Sequence, residues 1–483
     1  PLATSLFRYQ VEMDYGSPGF DSLRTFREQS DSLAKLLALY FRDKSAAAYA
    51  QAMQREHTRR YRVTYRKDTL VPRSEGGLAR WWDRMRGEEF LTVKLYDTLR
   101  DHTPVALFPR EIDYTEWQTL RRYPILNWNM GMTYRLRERD ERVYPQGELA
   151  RRTIGQVGDK GNYGVEYVLR DVLEGRDGKA RRQRIARGFY GRVVGGDNSE
   201  PEDGLDVVTT LDLEMQDVAD RALRRQLEAQ NALWGTALVM EVATGDLLAM
   251  ANLSRTKSGA YAEVKNHALS SRMEPGSTFK LAALLALVDA AGMSLDETFD
   301  TGNGARVKVG RTTVQDSHGL PPLNLKDAVA HSSNVFFARA VYETYKDDPE
   351  RYVDYLRHLH LDRTVGLEEF GAVAPIFPAP GMKIWYPDVS IVNMGYGYAI
   401  ELTPLHTLTL YNAVANDGCM VAPRLVREIR RGGEVVERPE RRVLVDKICS
   451  SSALRKVREC LEEVGTTGTA KQFFRDTTLF KIA

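Results

Sequence analysis

The residues of this chain best suited to do chemistry are Ser277 and Lys280, the ends of Ser277-Thr278-Phe279-Lys280. They follow Glu274-Pro275-Gly276, which reads as a turn, and open the apolar run from Leu281 to Met293. Proline and glycine just ahead of such a run mark a helix start. Residues i and i+3 share one helix face, so a hydroxyl and an amine would point the same way at a helix N-terminus. An anion can be held there and a serine activated. Leu281 to Val288 is apolar on all faces, so the helix belongs in the middle of a domain. A lysine at its buried end loses hydration, which favours the neutral amine. That amine can take the serine proton. Taken alone, Ser-x-x-Lys is a short pattern, and a solvated lysine one turn into an ordinary helix is its commoner meaning.

His331-Ser332-Ser333-Asn334 adds a second constellation ahead of another apolar helical start, Val335 to Ala340. Ser332 offers a second hydroxyl able to relay a proton, and Asn334 an amide that both donates and accepts. By itself this segment also reads as a helix N-cap, since Ser and Asn cap well. The two segments together favour catalysis.

Ser-x-x-Lys followed by Ser-x-Asn resembles the signature of penicillin-binding proteins and serine β-lactamases. The resemblance extends further. Gly204 to Gln216 is similar to the entry into a penicillin-binding domain, and Val239 to Met250 to the first hairpin of its sheet. Arg142-Val143-Tyr144-Pro145, Gly155, Gly164-Val165-Glu166 and Leu173-Glu174-Gly175 resemble the pedestal of class B members. The similarity covers most of the chain from about Glu141 onward, and weakly Pro1 to Asp14. No segment resembles the glycosyltransferase domain of class A enzymes. Asn393-Met394-Gly395-Tyr396-Gly397, then Thr403-Pro404-Leu405, also resembles a family segment. Its glycines would allow close backbone approach near the cleft. A simple tight turn before a helix capped at Thr403 is the alternative.

The family's third motif, Lys-Thr-Gly or Lys-Ser-Gly, departs from the pattern here. The nearest match, Thr467-Gly468-Thr469-Ala470, is preceded by Thr466 and has no lysine. Either the motif is degenerate, or this is a look-alike and the true motif lies beyond Ala483. The resemblance favours the second, because Leu479-Phe480-Lys481-Ile482-Ala483 reads as the strand leading into that motif. The expectation is a truncated chain, with the closing strands missing. The opening, Pro1-Leu2-Ala3-Thr4-Ser5, has no initiator methionine and no secretory signal pattern. No stretch approaches about 18 uninterrupted apolar residues, so no membrane span is expected in the chain. The resemblance implies a single-pass anchor before Pro1, with the globular domains in the periplasm or extracytoplasmic space.

The 483 residues allow two or three domains. A net charge of +2 supports neither a nucleic-acid partner nor a strongly acidic one. Arg121-Arg122, Arg151-Arg152 and Arg181 to Arg184 read mostly as solvated faces and pedestal strands, the alternative being a membrane-proximal or protein-partner surface. Three cysteines make a poor disulfide framework. Cys449 and Cys460 flank an N-capped helix from Ser450 and would stand about 16 Å apart, too far to bridge. All three are expected as structural thiols. His358 and His360 near a helix end give no metal-ligand spacing.

The expected fold is α+β: a penicillin-binding, serine β-lactamase-like transpeptidase domain over residues 205–483, an antiparallel sheet with helices on both sides. It stands on an elongated mixed α/β pedestal over residues 1–204, of dimerisation type and non-catalytic. Helices are expected over Asp31 to Arg60, Leu78 to Leu99 and Met215 to Gln230. Strands are expected on either side of the turn Ala243 to Asp246, and a linker over Gly195 to Pro201. Trp81 and Trp82 are expected to pack rather than bind. The resemblance implies a peptidoglycan D,D-transpeptidase. Ser277 would be the nucleophile, Lys280 the base, Ser332 the proton relay and Asn334 a substrate contact. β-Lactams would acylate Ser277, and no metal or organic cofactor is required. Partners implied are D-Ala-D-Ala stem peptides, a membrane glycosyltransferase and division proteins. Tyr144 to Ala150 and Thr153-Ile154-Gly155 resemble division-type pedestals, which leans toward septal over lateral-wall synthesis. The alternatives are a D,D-carboxypeptidase or β-lactam sensor, and a non-catalytic division scaffold with a degenerate third motif.

Overall fold

In the computed structural model the chain divides into two units, Pro1–Gln146 and Gly147–Ala483. The structure describes residues 1–473 apart from 21–22, 89, 128–132, 159–160, 177–181, 187–188, 193–198 and 200–201. The proposed linker over Gly195 to Pro201 and the expected strand Leu479 to Ala483 therefore lie outside the described residues, save for Ser199. The boundary drawn from resemblance, after residue 204, and the spatial division at Gln146 are separate. Arg176 pairs with Glu202, and the Leu205 N–H donates to the Val172 carbonyl at 2.9 Å, so part of the pedestal-like segment is tied to the second unit.

In the first unit, Thr4–Met13 pairs antiparallel with Tyr134–Val143 on one side and Val105–Ala106 on the other. Strand alternation turns Val11 and Met13 into a core shared with Phe20, Phe26, Leu33, Leu37, Met53 and Trp117. The stretch expected as one helix over Asp31 to Arg60 is two, Leu23–Phe41 and Ala46–Arg60. Arg42 breaks them with φ 55°, and Ser45 caps the second by accepting from the Ala48 N–H.

The helix expected over Leu78 to Leu99 is corrected. It spans only Gly77–Arg86, and Phe90–Arg100 is a strand paired with Tyr61–Pro72. Gly87, left-handed at φ 70°, ends the helix. Beyond it the Thr, Val and Tyr content suits a strand, and the long register with Tyr61–Pro72 decides the matter. Trp81 and Trp82 do not pack into a core either. Both are exposed, their rings edge-to-face at 5.3 Å.

In the second unit, Trp234–Met240 and Leu247–Arg255 form the expected hairpin, with Tyr261–Ala262 on its other edge. The two faces of this antiparallel sheet are covered by different helices. Ala249 and Ala251 meet Ala219 and Leu223 of the helix Leu213–Gln230. Met250, Leu238 and Met240 meet Leu405 and Leu408 of the helix Pro404–Ala415. Beside the sheet lies a helical core. At its centre Lys280–Leu285 is wholly buried among Phe336, Phe337, Val341, Leu454, Val457 and Cys460. Truncating one such leucine to alanine typically costs about 2–5 kcal/mol. This interior fixes where the N-terminus of the helix can be.

Candidate active site

Ser277 lies in a 3-10 turn, Gly276–Phe279, that runs directly into the helix begun by Lys280. In 3-10 geometry residues i and i+3 eclipse, which aligns the two side chains more closely than an α-helix would. The Lys280 amine lies 3.2 Å from Ser277 Oγ, 3.0 Å from Ser332 Oγ, 2.5 Å from the Ser332 carbonyl and 2.7 Å from Asn334 Oδ1. All four sequence candidates thus meet at one nitrogen.

The donor count fits a neutral amine. The Ser332 carbonyl and Asn334 Oδ1 only accept, and a neutral amine has two N–H donors to give them. Its lone pair is then left for a hydroxyl proton, from Ser277 or from Ser332. Burial pulls the Lys280 pKa down to about 7, with the Asp316 carboxylate pulling the other way. The amine is therefore substantially uncharged near neutral pH and can act as a base.

The second motif resolves into two tasks. Ser333, the middle residue, is the N-cap of the helix Asn334–Tyr345 and accepts from the Phe336 N–H at 3.0 Å. Ser332 and Asn334 on either side are left to face Lys280. Capping and site-building therefore coexist, carried by different residues. Ser332 takes a positive φ of 54°, an uncommon conformation for a non-glycine residue that a surrounding structure must hold.

Asp316 does that holding, and nothing in its local sequence announced it. Its carboxylate accepts from Ser333 Oγ at 2.8 Å, from the Asn334 N–H at 2.5 Å and from the Val335 N–H at 3.1 Å. Asp316 is buried, follows the strand Thr312–Val314, and places a negative charge at a helix N-terminus. Its signal is a long-range contact, invisible in a single sequence.

The other side of the turn is held by the glycine segment. The Gly276 N–H donates to the Gly397 carbonyl at 2.9 Å. A Cβ on Gly397 (φ 94°) would stand 1.8 Å from the Gly276 carbonyl oxygen. Of the two meanings weighed for this segment, close backbone approach is the observed one. Thr403 is still the N-cap position of Pro404–Ala415, but its hydroxyl pairs with His406 Nδ1 at 2.7 Å instead of capping. Thr467 to Ala470 is the turn closing the helix Ser451–Thr466, and the Thr469 N–H donates to the Ala330 carbonyl at 3.1 Å. It is not a strand. Among the described residues no cluster of three or more His, Cys, Asp or Glu could hold a metal.

A family model described as the penicillin binding protein transpeptidase domain matches residues 235–482. Probable peptidoglycan D,D-transpeptidase PenA of Neisseria meningitidis is 26% identical over 341 residues, 68% of this chain and 55% of that protein. Penicillin-binding protein PbpB of Mycobacterium tuberculosis is 29% identical over 343 residues, 67% of this chain and 48% of that one. The chain spans about half the length of these curated relatives. Among solved structures, penicillin binding protein 3 of Mycobacterium tuberculosis complexed with aztreonam is similar with a TM-score of 0.56 and 27% identity, covering 68% of this chain and 69% of that one. Penicillin binding protein 2X of Streptococcus thermophilus shares the fold at a TM-score of 0.69 and 19% identity, over 96% of this chain and 64% of that one. The match over half the chain, on the segment that carries the Ser277–Lys280 site, places this chain in the penicillin binding protein transpeptidase family.

Proposed function

We propose that the chain carries a peptidoglycan D,D-transpeptidase acting through an acyl-enzyme on Ser277. Ser277 Oγ attacks the carbonyl of the penultimate D-alanine of a donor stem peptide, and its proton passes to the neutral Lys280 amine. The peptide C–N bond breaks. Ser332 relays the proton to the leaving amino group of the terminal D-alanine, while Asn334 contacts the substrate amide. The amine of a second stem peptide then attacks the ester, releases Ser277 and completes the cross-link. The Ser277 N–H is one oxyanion donor.

The observation that carries this reading is the meeting of Ser277, Ser332 and Asn334 at one buried amine. The relative described as probable peptidoglycan D,D-transpeptidase PenA, and the aztreonam complex of a similar structure, support the substrate and inhibitor class. A membrane anchor, an extracytoplasmic location, septal use and a glycosyltransferase partner belong to the same proposal. No helix among the described residues is long and apolar enough to cross a membrane.

The test is intact mass after exposure to a labelled penicillin. One adduct is expected, and none on Ser277→Ala. Turnover of a stem peptide with an acceptor amine present should yield the amide product. Hydrolysis alone would point to a carboxypeptidase, and no adduct at all to a scaffold.

A further inference from the structure

We propose that the helix Gly77–Arg86, at the end of the hairpin Tyr61–Pro72 and Phe90–Arg100, docks on the surface of an anionic phospholipid bilayer. This proposal does not depend on the chemistry at Ser277. At 100° per residue, Leu78, Trp81, Trp82 and Met85 fall within an arc of about 100°. In the structure they are 78%, 53%, 55% and 67% exposed, so the apolar face of this helix points at water.

The helix is nevertheless well built. Asp83 is buried and accepts from Ser74 Oγ at 2.6 Å. Arg80 Nε donates to the Ser74 carbonyl at 3.0 Å, and the Glu88 N–H donates to the Asp83 carbonyl at 3.0 Å. The polar side is thus bonded back to its own loop, while no described residue covers the apolar side. The last ladder pairs before the helix, Val71 opposite Leu91 and Pro72 opposite Phe90, add more exposed apolar surface.

The charges select the occupant. The one acid of the helix is buried and bonded, and the exposed Arg80, Arg84 and Arg86 leave it presenting positive charge. Arg86 reaches Asp83 only at 4.0 Å. Tryptophan, leucine and methionine on one side with arginine on the other is the pattern of a helix lying in a membrane interface. Anionic headgroups supply the countercharge for the arginines. A second copy of this chain, docking through the same face, would instead bring like charges together around the seam.

The test uses the whole chain and vesicles of phosphatidylcholine, with and without phosphatidylglycerol. Co-sedimentation is expected with the phosphatidylglycerol vesicles, weakening as salt rises, together with a shift of tryptophan emission to shorter wavelength. Trp81→Ser with Trp82→Ser should weaken binding by about tenfold or more. Arg80→Gln with Arg84→Gln should weaken it by about 25-fold, roughly fivefold for each arginine. Leu78→Ser with Met85→Ser serves as a second apolar pair should the tryptophan variant fail to fold. No vesicle binding by the parent chain overturns the proposal. So does unchanged binding in a folded apolar variant, or a parental dimer that such a variant turns into a monomer.

Discussion

The Asp316 carboxylate accepts the Ser333 hydroxyl at 2.8 Å, and this one bond decides which way the second motif faces. With Ser333 committed to Asp316 and to the helix cap, Ser332 and Asn334 present themselves to Lys280. Removing the carboxylate would strand a buried hydroxyl and two backbone N–H groups. Asp316→Ala is therefore expected to lower stability by about 1–3 kcal/mol, read as a urea-unfolding midpoint. Acylation by penicillin should fall as well. In Asp316→Asn, loss of the negative charge should move the pH midpoint of acylation below that of the parent, because Asp316 raises the Lys280 pKa. An unmoved midpoint would mean that the charge is not felt at the amine.

Gly397 lies against the backbone of Gly276, the residue just ahead of Ser277. Alanine there would force the Gly276 carbonyl away, since the added carbon would lie 1.8 Å from its oxygen. A displacement of about 1 Å at a reacting group can cost about 100-fold in rate. Gly397→Ala should therefore acylate about 100-fold more slowly while keeping one penicillin adduct at completion, measured by stopped labelling and intact mass.

The depressed Lys280 pKa also bears on folding. The unfolded chain binds a proton at Lys280 up to the ordinary lysine range, whereas the folded chain releases it near pH 7. Between those values the unfolded state carries more protons, so this group makes stability rise with pH, by about 1.4 kcal/mol per unit at most. Urea midpoints at pH 7 and pH 9 should diverge more for the parent than for Lys280→Met. Equal divergence would assign the lysine an ordinary pKa.

The three thiols should separate by burial. Cys449 and Cys460 are buried, which raises their pKa to about 11 and about 12 respectively. Cys419 is only half-buried. Titration with an aromatic disulfide reagent at pH 8 should find one reactive cysteine in the native chain and all three after denaturation.

What could be read from sequence was what is local. Ser277 and Lys280 share a turn, and the hairpin around Ala243 to Asp246 and the helix after Ser450 announce themselves by turn residues and caps. Asp316 was silent, because its meaning lies in the helix start it meets 17 to 19 residues later. The segment Leu78 to Leu99 misled for a related reason. Its first half is helical, but its second half becomes a strand through pairing with Tyr61–Pro72. The exposed tryptophans misled because large apolar residues ordinarily pack, and only the fold reveals that this face stays exposed.

The rate of Ser277 acylation by a labelled penicillin, followed from pH 5 to pH 9 in the parent and in Lys280→Ala, tests the neutral-base account most directly. The expected parent profile rises with pH, turns over near the Lys280 pKa of about 7 and is flat above it, because only the uncharged amine accepts the proton. Lys280→Ala should be slower by about 100-fold or more at the plateau and lack that inflection. A parent rate independent of pH across this range, or a Lys280→Ala variant that acylates at the parental rate, would contradict the account.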